Sequence, residues 1–76
     1  MNKNRRNSLA ALHSQLDDIK ASIESVLDEE QEAFDNMPES FQNSDRGNAA
    51  QEAIDNLAQA VSSLDDALSA IDDASA

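Results

Sequence analysis

The chain contains no cysteine, no tryptophan and no tyrosine among its 76 residues. Because thiolates are absent, neither a disulfide nor a zinc site built on cysteine can form. Phe34 and Phe41 are the only aromatic residues, which are too few for a surface that stacks on nucleic-acid bases. These absences leave the packing of aliphatic side chains as the means of holding a fold together.

Cationic residues are also scarce: 5 Lys and Arg stand against 16 Asp and Glu, and the formal net charge is -11. A body this acidic repels phosphate, so we do not expect direct binding of DNA or RNA. A basic protein, or one that normally binds nucleic acid, is a compatible partner. The same charge also has an interpretation without any partner, since a strongly charged surface keeps a protein in solution.

Long apolar runs are missing as well. No stretch approaches the roughly 20 apolar residues that cross a bilayer, and no signal-peptide core is present. The length allows one domain at most, and a fold this small is marginal unless it oligomerises or is otherwise reinforced. We therefore expect a cytoplasmic protein with a single domain over residues 1–76.

Glycine and proline occur once each, and both lie in the segment Asp28–Gly47. Pro38 is excluded from a helix interior and biases the preceding residue away from helical backbone angles. The first helix should therefore end shortly before Pro38, and Asn43 or Ser44 can cap a second helix. These signals predict helix one over about 8–36, a turn over 37–43 and helix two over about 44–74.

Aliphatic residues on both sides of this turn follow the alternating spacing of three and four that marks the a and d positions of a heptad repeat. In helix one they are Leu9, Leu12, Leu16, Ile19, Ile23 and Val26, and in helix two they are Ile54, Leu57, Val61, Leu64, Leu68 and Ile71. If the chain folds back about residue 40, each of them meets a partner whose number sums with its own to 80. Every a position then faces a d position, as antiparallel helices require. The predicted fold class is all-α, an antiparallel two-helix coiled-coil hairpin.

The same pairing predicts how the turn is packed. It brings an alanine opposite Gly47, so the paired residues of the seam have small side chains at the place where the Phe34 ring must be accommodated. We interpret Gly47 as making room for Phe34, with Met37 and Phe41 closing that end of the hairpin. Pro38, Phe41 and Gly47 are thus predicted to have structural roles in the turn.

The first seven residues are polar and carry most of the positive charge of the chain. We expect them to form a polar tail. In the predicted hairpin this tail lies beside the end of helix two, where Asp72 and Asp73 are found. Electrostatic compensation between the two should be weak, because exposed ion pairs contribute only about 0–1 kcal/mol.

Leu27 and Phe34 flank the heptad stripe of helix one and lie one heptad apart. They widen its apolar face beyond what one partner helix can cover. Two helices cannot surround a core, whereas four can. We therefore expect two hairpins to pair into a homodimeric four-helix bundle, or a different protein to supply the missing half.

No nucleophile–base pair, phosphate loop or zinc pattern is present, and we expect no enzyme activity, no metal and no cofactor. One group of carboxylates resembles the pattern of all-α nucleotide pyrophosphatases of the MazG kind, namely Asp28, Glu29 and Glu32 followed by Glu52 and Asp55. That resemblance implies carboxylates that hold Mg²⁺, which activates water. In the predicted register these side chains lie away from the seam, and few Lys or Arg residues stand nearby to bind phosphate. A Mg²⁺-dependent hydrolase is therefore the less favoured alternative.

The central segment reads DEEQEAFDNMPESFQNSDRG and is followed by AIDNL. It resembles a family of short acidic helical-hairpin proteins of bacteria and their phages, over about Leu16 to Ala70. The resemblance implies a helical hairpin and no particular activity. Helix two departs from the family by carrying Ala and Ser where other members are richer in Glu.

The favoured function is that of a small acidic, non-enzymatic protein-interaction module. One form of it is a phage-encoded inhibitor or adaptor of a host protein that mimics DNA and places its carboxylates in a basic groove. The predicted partner-binding residues are Glu24, Asp28, Glu32 and Asp35, with Leu27 and Phe34 as apolar contacts. The alternative is a purely structural homo-oligomeric module with no separate target.

Overall fold

The computed structural model describes all 76 residues and contains three helices and no strand. They are α1 (Lys3–Asp35), the single-turn α2 (Glu39–Gln42) and α3 (Asp45–Ser75). With 33 residues, α1 is about 50 Å long at 1.5 Å per residue. It packs along α3, and the Cα atoms span 58 × 15 × 13 Å. The prediction of an all-α helical hairpin is thereby confirmed.

The first helix begins earlier than the expected start at residue 8. Asn2 has extended backbone angles, and its side-chain oxygen accepts a hydrogen bond from the backbone N–H of Arg5 at 2.8 Å. This cap satisfies one of the free amide groups at the start of the helix. The basic residues predicted to form a polar tail therefore lie in the first turns of α1 instead.

The turn that joins the long helices is held by hydrogen bonds. Ser44 caps α3 by accepting from the Gly47 N–H at 3.5 Å, and its hydroxyl donates to the Phe41 carbonyl at 2.5 Å. Of the two predicted caps, the structure thus uses Ser44. The Gln42 side chain donates to the carbonyl oxygens of Phe34 at 3.1 Å and Met37 at 3.2 Å. It thereby ties α2 to the end of α1, where the Phe34 carbonyl also accepts from the Met37 N–H at 3.1 Å.

Gly47 is required for a different reason from the one predicted. A Cβ atom at this position would overlap the carbonyl oxygens of Phe41 and Gln42 in the turn. The absent side chain therefore makes room for the backbone of α2 and not for the Phe34 ring. Phe41 does not close the end of the hairpin as expected, because 51% of it is exposed.

Very little of the hairpin is buried. Gly47, Ala50, Ile54 and Leu68 are the four buried residues, all of them on α3, and α1 contributes none. The radius of gyration is 17.2 Å, whereas a compact chain of this length has about 11 Å. The molecule is therefore two helices wide along its whole length, without a closed core.

Two side-chain contacts between the long helices show the relative direction of these helices. His13 is paired with Asp72, and Lys20 with Asp65, so the partner number falls as the first number rises. The helices are thus antiparallel, and both pairs sum to 85. This sum differs from the predicted sum of 80, so the contacts show the antiparallel direction of the helices, and the register of the a–d layers stays a prediction.

The rotation of α1 about its axis differs from the prediction. Leu12, Ile19 and Val26 were expected in the seam, yet they are 49%, 50% and 52% exposed. Leu27 and Phe34 were expected to face water, yet both are half-buried. The side of α1 that carries the heptad e positions His13, Lys20, Leu27 and Phe34, here termed the e side, turns toward α3. The contacts with Asp65 and Asp72 lie on this side, and burial of Leu27 and the Phe34 ring adds apolar contact area there.

Candidate protein-interaction face

Three exposed aliphatic residues form a straight line on α1. Leu12, Ile19 and Val26, here termed the aliphatic stripe, are spaced by seven residues and therefore lie on one side of the helix. The stripe is about 21 Å long at 1.5 Å per residue. A single exposed leucine is ordinary, but an aligned set of half-exposed aliphatic residues marks a surface that another helix can cover.

A groove runs beside the stripe between the two long helices. It has a volume of about 340 Å³, and its walls are mostly aliphatic. The lining residues are Asp18, Ile19, Ser22, Ile23, Val26 and Leu57. The groove exists because α1 turns its e side inward, which moves the stripe away from α3 and leaves an open apolar channel along this edge.

The surroundings of the stripe are small and almost uncharged. The adjacent side of α1 carries Ser8, Ala11, Gln15, Asp18, Ser22 and Ser25, all exposed, and only Asp18 among them is charged. Beyond Val26 the same side continues with two exposed carboxylates, Glu29 and Glu32. Small side chains allow helices to approach closely, within the usual 8–10 Å between axes. The cores of protein interfaces are likewise depleted of charge. In a chain with a net charge of -11, such a surface stands out chemically.

Most of the predicted acidic partner-binding residues lie on the opposite side of α1. Glu24, Asp28, Glu32 and Asp35, here termed the acidic face, are all exposed. At 100° per residue Glu24, Asp28 and Asp35 project roughly opposite to the aliphatic stripe, whereas Glu32 lies between the two sides, in line with Asp18 and Ser25. Two of these carboxylates already have a local partner, since Gln31 donates to Asp35 at 3.0 Å and Glu24 lies 4.0 Å from Nζ of Lys20. The hairpin thus has an apolar side and an acidic side.

The two predicted apolar contacts occupy a different position from the stripe. Leu27 and Phe34 lie on the half-buried e side of α1, in line with Lys20. The Phe34 carbonyl also accepts the Gln42 hydrogen bond that secures the turn. The structure therefore places these residues in the hairpin itself, while the exposed apolar surface belongs to the stripe.

The e side carries polar contacts that the heptad pattern did not bring to attention. Nζ of Lys20 lies 2.5 Å from Oδ1 of Asp65, and this hydrogen bond is the main cause that raises the pKa of Lys20 above 10.5. Nε2 of His13 lies 3.1 Å from Oδ1 of Asp72, although the two atoms are not aligned as a hydrogen bond. The sequence carried a signal for both contacts: His13 and Lys20 occupy e positions of α1, and Asp65 and Asp72 occupy e positions of α3.

The carboxylates that resemble those of nucleotide pyrophosphatases are not gathered into one site. No group of three or more His, Asp or Glu side chains is placed to hold a metal ion. Asp28, Glu29 and Glu32 are exposed on α1, and Glu52 and Asp55 are exposed on α3. None of the helices is long and apolar enough to cross a membrane.

Comparisons with known proteins gave no match, whether against protein-family models, curated proteins or solved structures. Two surfaces of α1 are therefore the candidates for binding a partner: the aliphatic stripe with its groove, and the acidic face.

Proposed function

We propose that this chain is a non-enzymatic protein-interaction module, built as one half of a four-helix bundle whose other half comes from another polypeptide. The observation that carries the proposal is the aliphatic stripe. Leu12, Ile19 and Val26 are each about half exposed, while only 4 of the 76 residues are buried. A hairpin of this kind has more apolar surface to bury than it can bury alone.

The exposed area supports the same conclusion. The accessible surface of the hairpin is 5373 Å². A compact monomer of 8.2 kDa exposes about 4,500 Å², so the excess is about 900 Å². A standard protein interface covers about 800 Å² on each partner. The hairpin therefore exposes surplus surface of the size that one docking event removes.

The proposal predicts that the hairpin is not a stable, fully helical monomer by itself. Helicity followed by circular dichroism should fall on dilution, because partner binding and folding are coupled by mass action. Sedimentation equilibrium on the same samples gives the associated state. A fully helical 8.2 kDa monomer with a sharp, concentration-independent thermal transition would refute the proposal.

The acidic face supports a second candidate function, which can coexist with the first. Glu24, Asp28, Glu32 and Asp35 are exposed together and leave the stripe free. Carboxylates at this spacing are suited to the basic groove of a protein that binds nucleic acid, as in an inhibitor or adaptor that mimics DNA. The localisation that fits such a partner is the cytoplasm.

Salt dependence tests this second function. Binding to a basic target should weaken steeply as salt is added, because the attraction is between exposed charges. Replacing Glu24 and Glu32 with Gln should weaken it further, whereas Asp55→Asn and Asp66→Asn remove the same charge from α3 and should have less effect. Binding to a captured basic partner that is unchanged by salt and by these substitutions would contradict a role for the acidic face.

A further inference from the structure

We infer that the polypeptide covering the aliphatic stripe is a second copy of this chain, related by a two-fold axis that passes beside Ile19. The two α1 helices then lie antiparallel against each other. This inference rests on the proposed function and names the partner of its apolar side.

The spacing of the stripe is self-complementary. Ile19 lies midway between Leu12 and Val26, with seven residues on each side. A two-fold axis at Ile19 therefore places the partner's Val26 beside Leu12 and the partner's Leu12 beside Val26. The two Ile19 side chains meet at the axis. A closed dimer requires this kind of interface, in which one surface matches itself.

The groove is positioned to receive a side chain from the second copy. It lies on the Val26 half of the stripe, with Ile19, Ile23 and Leu57 along its walls. The same rotation brings the partner's Leu12, which is 49% exposed, to the Val26 end of the groove. Each copy would thus insert Leu12 into the groove of the other. The two-fold arrangement fills both grooves and covers both stripes at once.

The area required is also available. The excess surface of about 900 Å² on each chain is close to the 800 Å² per partner of a standard interface. The small residues next to the stripe, among them Ser22 and Ser25, allow the helix axes to approach. Two hairpins joined in this way make a four-helix bundle, the arrangement that surrounds a core with amphipathic helices.

Charge gives this dimer a property that a complex with a basic partner would not have. Two chains of -11 repel each other, and their carboxylates are concentrated away from the interface. Added salt screens the repulsion without weakening apolar contacts. Dimerisation should therefore strengthen as salt is added, which is the opposite of the behaviour expected at the acidic face.

Single cysteines provide the sharpest test, because the chain has none of its own. Ile19→Cys should form a disulfide-linked dimer on mild oxidation, since the two residues meet at the axis. Ala21→Cys is the matched control, on the opposite and exposed side of α1. Leu12→Cys mixed with Val26→Cys should crosslink far more than either variant alone, which specifies the antiparallel arrangement.

Asp18 supplies a second, independent measurement. It is the charged residue that lines the groove and lies near its own copy across the axis, so Asp18→Asn should tighten the dimer several-fold. Asp17→Asn removes the same charge from the opposite side of α1 and should have a smaller effect. Sedimentation equilibrium at low and high salt gives both dissociation constants.

The outcomes separate the inference from the proposed function. Equal crosslinking of Ile19→Cys and Ala21→Cys in a dimer would place the interface elsewhere and overturn the inference alone. A partly folded monomer at every salt concentration would also overturn it, while leaving a different protein as the partner. A fully folded monomer would overturn both.

Discussion

At the scale of single residues, Gly47 illustrates how the need for glycine can come from packing against backbone. Its backbone angles are helical and not left-handed, so a side chain would be acceptable to the helix itself. A side chain is excluded because its Cβ atom would overlap the carbonyl groups of Phe41 and Gln42. Backbone atoms of a one-turn helix cannot rotate away as the tip of a flexible side chain can.

Gly47→Ala should therefore destabilise the hairpin by about 1–3 kcal/mol, as overpacking commonly does. In an open helix the same change would stabilise by about 1 kcal/mol. Thermal unfolding by circular dichroism, at matched protein concentration, measures the difference. The exposed neighbour Asn48→Ala is the control and should be neutral or slightly stabilising. A higher melting temperature for Gly47→Ala would show that the turn yields to the added methyl group.

At the scale of helices, the contact between α1 and α3 is asymmetric. The e side of α1 is tied to α3 by Lys20 and Asp65, and Leu27 and Phe34 lie half-buried on that same side. The opposite edge stays open: Ile19 and Val26 are about half exposed there, and Leu57 is the residue of α3 that lines the space. The open edge is the groove.

The Lys20–Asp65 pair predicts how stability depends on alkaline pH. The pKa of Lys20 is raised in the folded state, chiefly by the hydrogen bond to Asp65. The stabilisation is therefore complete below the ordinary value of 10.5 and is lost as the pH rises through the folded-state pKa. Melting temperatures measured across that range should fall in the wild type.

Two variants check that this loss comes from Lys20. Lys20→Arg keeps its charge at those pH values and should be less sensitive, since guanidinium does not deprotonate there. Lys20→Met has no charge to lose and should also lack this part of the decline. If all three proteins lost stability in parallel, the pair would not be the origin of the alkaline transition.

At the scale of the whole molecule, the two sides of the hairpin have different chemistry and can act independently. The apolar side is suited to another helical hairpin, and the acidic side is suited to a basic surface. Salt should strengthen the first association and weaken the second. Since few residues are buried, the proposed association should be coupled to folding, and substitutions on the apolar side should then change stability as well as binding.

Much of this architecture was readable from the sequence because it depends on local chemistry. Pro38 interrupts the helices wherever they pack, and the heptad spacing predicts two amphipathic helices that pair antiparallel. The antiparallel direction, which the Lys20–Asp65 pair shows, followed from matching the two repeats. The acidic residues were correctly expected on the outer surface, since the heptad pattern places them away from the seam.

Tertiary structure alone decided which edge of the hairpin stays open. A heptad pattern places d and e on either side of a. The half-buried Leu27 and Phe34, together with the Lys20–Asp65 contact, show that the e side is the one that faces α3. That rotation moved Leu12, Ile19 and Val26 out of the predicted seam and left them about half exposed, as the interaction surface that we propose. The role of Gly47 was likewise hidden, because its neighbours are carbonyl oxygens whose positions depend on how the turn folds and not on which side chains it carries.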